Sequence, residues 1–142
     1  MEPDLHRLLT DRLDEITADV VREVAGRVPG CALPRRGAVF RLVRDALPVY
    51  AGAADRAAVL DAFRDLGADQ ARAGQDVRRL ERALRAGARV LVARTATVAA
   101  RLYPPTAEFV AVMENAFIAE QEIVQAAVDG HRRAARPLVT ET

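Results

Sequence analysis

Apolar side chains recur at three- and four-residue spacing along almost the whole chain, and no segment alternates apolar and polar residues for long enough to make a half-buried strand. The pattern predicts an all-α fold, a single domain of about five helices, in a globin-like or bundle arrangement. A first helix is expected over residues 4–27, with Leu5, Leu9, Leu13, Ile16, Val20 and Val24 on one slowly turning stripe. Pro29, Gly30 and Pro34 follow it and cannot continue it.

A second, shorter helix begins near Arg35 and points Val39, Phe40, Val43, Ala46 and Leu47 inward, with Pro48 and Gly52 marking its kink or end. The third covers residues 54–73 and presents Val59, Phe63, Leu66 and Gln70 on one side, with Gly74 as its C-terminal cap. Asp76 is placed to cap a long fourth helix over residues 76–103, whose inward face holds Val77, Leu80, Leu84, Gly87, Ala88, Leu91, Val98 and Leu102. Gly87 weakens that helix by about 1 kcal/mol relative to alanine, so a close helix crossing is expected there. Pro104 and Pro105 force a corner before a fifth helix over residues 106–135, with Phe109, Met113, Ala116, Ile123, Val124 and Ala127 inward. Residues 1–136 thus form one helical domain, and residues 137–142 break the pattern as a tail or the start of a linker.

Composition narrows the function classes. With 142 residues, 51% hydrophobic and 29% charged, the chain is long enough to bury a core without staples and lies far from disorder. Cys31 is alone, which excludes an intrachain disulfide or a cysteine metal cluster, and with His6 and His131 near opposite ends it reads as an inert loop residue. The start, Met1-Glu2-Pro3-Asp4, lacks the basic and apolar regions of a signal peptide, and no apolar run approaches the ~18 residues of a membrane span. A cytoplasmic location with no membrane contact is expected.

The 21 basic residues, all arginine, nearly cancel 20 acidic ones, so no whole-domain field attracts nucleic acid. The short basic runs Arg35-Arg36 and His131-Arg132-Arg133-Ala134-Ala135-Arg136 lack aromatic interleaving, and no direct nucleic-acid binding is expected. No G-x-S-x-G, P-loop, H-E-x-x-H, dinucleotide fingerprint or cysteine pair is present, and Asp65, Asp69 and Asp76 lack the spacing of a calcium loop. No catalytic residue, metal or cofactor is therefore assigned, and the chain reads as no enzyme. His131 projects onto the inward stripe of the last helix, but its place in the final turns beside Arg132 and Arg133 fits a helix-end residue better than a haem ligand.

Two features place charge where apolar residues are expected. Glu120 falls within roughly 20° of the centre of the fifth helix's apolar stripe, at about 100° per residue. On the fourth helix Arg78, Arg82, Arg85 and Arg89 form a narrow stripe beside the apolar face, with Glu81 between stripe and core. Glu120 is expected to meet Arg85 or Arg89. Two readings stay open for Glu81, Arg85, Arg89 and Glu120: a buried ion pair that specifies register, or a pocket for an anion or small-molecule effector.

The segment Phe63-Arg64-Asp65-Leu66-Gly67-Ala68-Asp69-Gln70-Ala71-Arg72-Ala73-Gly74, followed by Leu80-Glu81-Arg82-Ala83-Leu84-Arg85-Ala86-Gly87-Ala88-Arg89-Val90-Leu91, resembles the N-terminal domain of RsbR/RsbRD-type stressosome co-antagonists, a module also found ahead of helix-turn-helix output domains in PucR-like transcription regulators. The likeness runs from about Leu5 to Arg133 and rests on an L-G-x-x-x-A-x-x-G turn and an L-R-x-G-A-R helix. It implies a globin-like or bundle-like sensory and dimerisation domain without haem. Such a domain is a homodimer that regulates a C-terminal output domain or a partner protein.

Overall fold

The computed structural model describes residues 2–30, 35–52 and 55–135, and among them every regular element is a helix. There are six in chain order: α1 (Glu2–Thr10), α2 (Leu13–Arg27), α3 (Arg36–Tyr50), α4 (Arg56–Arg72), α5 (Val77–Leu102) and α6 (Ala107–Ala135). The all-α single domain is as the periodicity predicts. Cys31, Pro34, Arg136 and the tail lie outside the described residues.

The first expected helix is two. No glycine or proline marks the break; Thr10 and Asp11 are weak helix formers, and around them the bonding tightens, with Arg12 N–H donating to Leu9 O at 3.1 Å before the ladder restarts from Arg12 O to Ile16 N–H. The apolar stripe nevertheless survives the bend. Leu5, Leu9, Ile16, Val20 and Val24 are all buried, so α1 reaches α3 and α5 while α2 lies along α5 and α3. Tertiary packing, not local propensity, sets this corner.

Pro48 kinks nothing that matters to length, since α3 runs through it to Tyr50. Its last turn closes with Ala51 N–H on Leu47 O and Gly52 N–H on Val49 O. The helix end is also met from α6: Asn115 Nδ2 donates to Tyr50 O and, beside the Gly52 N–H, to Val49 O, each at 3.0 Å. At the start of α4 the Asp55 carboxylate accepts from Ala57 N–H at 3.0 Å. Asp76 precedes α5 in the N-cap position, but its side chain makes no capping bond.

Gly74, at φ 80°, ends α4 with Gly74 N–H bonded to Ala71 O and Gln75 N–H to Gln70 O. This paired closure is the Schellman arrangement, and glycine suits it because the left-handed region penalises any Cβ.

Among the described glycines, the closest approach of backbone to backbone is where α4 crosses α6, at Gly67 and Gly130 rather than at Gly87. A Cβ on Gly67 would lie 1.9 Å from Ala127 O, and one on Gly130 would lie 2.0 Å from Arg64 O. Backbone meets backbone there. Gly87 faces α2, where an added Cβ would come 3.3 Å from Val20 Cγ1. Around these crossings lies a core of small and branched residues, including Ala83, Ala86, Ala116, Ala119, Ala126 and Ala127. Small side chains let the long helices α5 and α6 approach closely, at the expense of some space further in.

Candidate functional site

The four residues singled out from the sequence lie on the facing sides of α5 and α6, which the structure packs together. Glu120 is 21% exposed at its side chain, and Arg85 Nη1 donates to it at 3.3 Å. The same nitrogen reaches Gln121 Oε1 at 3.2 Å, while Arg85 Nε lies 3.4 Å from Glu81 Oε2, one turn earlier on α5. Arg85 thus joins Glu81, Glu120 and Gln121. Arg89 does not reach Glu120.

Beneath this cluster lies Tyr50, 2% exposed at the end of α3. Burial pushes its phenol above the ordinary range, and the charge of Glu120 pushes it the same way. Tyr50 also lines an apolar cavity of about 70 Å³, walled by Val24, Val43, Phe63, Leu91 and Ile123 among others. Its small lining residues, Ala46 of α3 and Ala83, Gly87 and Ala88 of α5, leave this space between larger side chains, and no periodicity in the sequence marks it.

Outside the cluster, the arginine stripe of α5 forms one wall of a groove of roughly 690 Å³. Arg78, Arg82, Arg85 and Arg89 come from α5, Arg27 from the last turn of α2 and Arg132 from the last turns of α6. Glu81 is the one carboxylate lining it among the described residues, and Val77 and Ala86 supply apolar floor. Arg27 is paired with Glu23 at 2.7 Å. Arg78, Arg82, Arg89 and Arg132 have no ion-pair or hydrogen-bond partner among the described residues. The sequence places the α5 stripe, but Arg27 and Arg132 are brought to it only by the fold. Glu120 does not line the groove, although it and Glu81 meet the same Arg85 guanidinium.

The end of α6 is fastened on its other side. His131 is 7% exposed, and its Nε2–H donates to Gln75 O, in the turn between α4 and α5, at 2.6 Å. It is therefore a buried strut in the helix's terminal turns rather than a solvent-facing one, and its Nδ1 has no partner. Further along the fold, Arg94 of α5 binds two α2 carboxylates, Glu15 at 2.8 Å and Asp19, and holds the Glu15 carboxyl below its usual range. Arg79 Nη2 donates to Pro29 O at 2.6 Å, tying α5 to the chain that leaves α2.

Among the described residues no group of three histidine, cysteine or carboxylate side chains is placed to hold a metal ion, and no helix is long and apolar enough to cross a membrane. Compared with known families, residues 1–138 match the model described as PucR-like N-terminal domain. No curated protein and no solved structure matches the chain.

Proposed function

The chain belongs to the family of PucR-like N-terminal domains, and from that premise we propose that it is the non-catalytic sensory and dimerisation unit of a PucR-type regulator, passing its state to an output domain through the end of α6. The observation that carries this reading is the position of α6. At 29 residues it is the longest helix among the described residues; it packs on α3, α4 and α5, and near its end it is held to the α4–α5 turn by His131. A change anywhere among those helices therefore bears on how α6 leaves the domain.

The first half of α6 offers a face for a second copy. Val110, Phe117 and Ile118 are each about half exposed, and they neighbour one another around the helix with Glu114 and Gln121 between them. Large apolar residues grouped in this way mark an association surface. A two-fold axis near Phe117 brings apolar side chains together from both copies, as an isologous interface requires. Arg85 and Glu120 serve in this reading as the pair that fixes α5 against α6 beside that face.

The test of signal passage uses the full-length regulator in a transcriptional reporter. His131→Ala is expected to make output insensitive to effector while the output domain still binds its DNA site. An unchanged effector response would remove α6 from the route. A stressosome-type arrangement, in which a similar domain acts on a STAS-like partner, is the alternative output; the coding sequence beyond Thr142 separates the two.

A further inference from the structure

Six guanidinium groups converge on the groove from three separate helices, with one carboxylate among them. An isolated surface arginine is solvated and unremarkable. Here the charges are gathered in a concavity, Glu81 is already engaged by Arg85, and four of the six have no partner among the described residues. Mutual repulsion makes this arrangement unfavourable on its own, and an anion between the walls relieves it.

We infer that the groove binds a phosphate-bearing small molecule with at least two anionic groups, and that the bound molecule clamps the last turns of α6 to α5 and α2. The chemistry follows from the side chains. Guanidinium presents a planar fork of donors that matches phosphate oxygens in pairs, which a lysine ammonium does not. The stripe from Arg78 to Arg89 extends about 16 Å along α5 at 1.5 Å per residue, too long for a single phosphate to satisfy. A volume of roughly 690 Å³ lies within the range of small-molecule sites, and Val77 and Ala86 give an apolar portion of the ligand somewhere to rest. Arg132 gives the site its consequence. It is the only groove residue on α6, one position beyond His131, so the ligand holds from one side the same turn that the His131–Gln75 bond holds from the other.

This assignment rests on the sensory reading for its consequence, yet the two fail separately: binding is measured on the isolated chain, while signal passage is measured on transcription. The experiment titrates the chain with inorganic pyrophosphate and with a nucleoside triphosphate at about 0.15 M salt, following backbone amide shifts and thermal melting, with sodium chloride of matched ionic strength as the reference. Saturable binding is expected, with shifts concentrated at residues 27, 78–89 and 132. The double variant Arg82→Gln/Arg89→Gln, both positions being exposed, should weaken it by roughly tenfold or more. Arg101→Gln, outside the groove on the same helix, should leave it unchanged. Shifts that sodium chloride reproduces, or equal binding by the double variant, would overturn the assignment. A duplex DNA fragment that binds the groove more tightly than either small probe would also overturn it, in favour of a nucleic-acid surface.

Discussion

Replacing Gly67 by alanine adds one methyl group where there is no room for it. The new carbon would lie 1.9 Å from Ala127 O, 2.8 Å from Ala127 C and 2.9 Å from His131 N, all backbone atoms of α6. Ordinary contact begins near 3.4 Å, so α4 and α6 would have to part by roughly 1.5 Å at their crossing. Overpacking commonly costs about 1–3 kcal/mol, and the upper end applies because backbone cannot rotate aside as a side chain can. Alanine recovers about 1 kcal/mol over glycine in a helix interior, which leaves a net loss of about 2 kcal/mol. Gly26→Ala is the matched control, since nothing lies within 4 Å of its Cβ position on the exposed side of α2. It should stabilise by about 0.5 kcal/mol through propensity alone. Urea unfolding followed by circular dichroism gives both values from the midpoints at constant slope. If the two variants moved stability in the same direction, the backbone-to-backbone crossing at Gly67 would be wrong.

Other perturbations address the polar interior. Glu120→Gln removes one charge of a pair that is only partly shielded from water, and a loss of about 1 kcal/mol or less is expected in thermal melting; the Tyr50 phenol should then titrate at lower pH in ultraviolet absorbance, because one of the two causes holding it up is gone. Since Tyr50 keeps its proton in the folded state at pH values where the unfolded chain, near the ordinary value of about 10, loses it, stability should fall as pH rises past that value, and Tyr50→Phe should flatten this decline. Asn115→Ala removes the side-chain donor from Tyr50 O and one of two donors from Val49 O, which keeps the Gly52 N–H, and a loss of about 1 kcal/mol in chemical unfolding is expected. Thr95 is fully buried and its hydroxyl has no hydrogen-bond partner, so Thr95→Val should raise the melting temperature, by about 3 °C for a gain near 1 kcal/mol.

The legible part of this fold is the part encoded by period. Leu5, Leu9, Ile16, Val20 and Val24 are recognisable as a buried stripe because apolar residues three and four apart share a helix face, and the stripe is buried even though the helix carrying it breaks at Asp11. Gly74 was readable as a cap for a local reason: a glycine after the last periodic residue suits a left-handed dihedral. Glu120 stood out because a carboxylate on an apolar stripe demands a partner, and its side chain does lie against Arg85.

What escaped the sequence depends on which helices meet. Gly67 and Gly130 are 63 positions apart and look like ordinary helix-weakening residues until α4 and α6 cross. Gly87 interrupts an otherwise strong helix and so predicts a close crossing, yet its neighbour is a valine methyl rather than backbone. In the sequence Arg27 only bounds the first expected helix and Arg132 belongs to a short basic run, and only the third dimension brings them to the Arg78–Arg89 wall. The same holds for His131: its inward projection was visible, but its partner, a main-chain carbonyl in a turn 56 positions away, carries no sequence signal.

The domain is proposed to pair through one face of α6 and to transmit through the end of the same helix. Sedimentation equilibrium of the chain and of its Phe117→Glu variant tests the pairing most directly. The parent should sediment at twice its 15.4 kDa mass, and the variant, with a carboxylate at the centre of the exposed face, should sediment as a folded monomer. A parent that remains monomeric at every concentration, or a variant that dimerises as tightly as the parent, would contradict it.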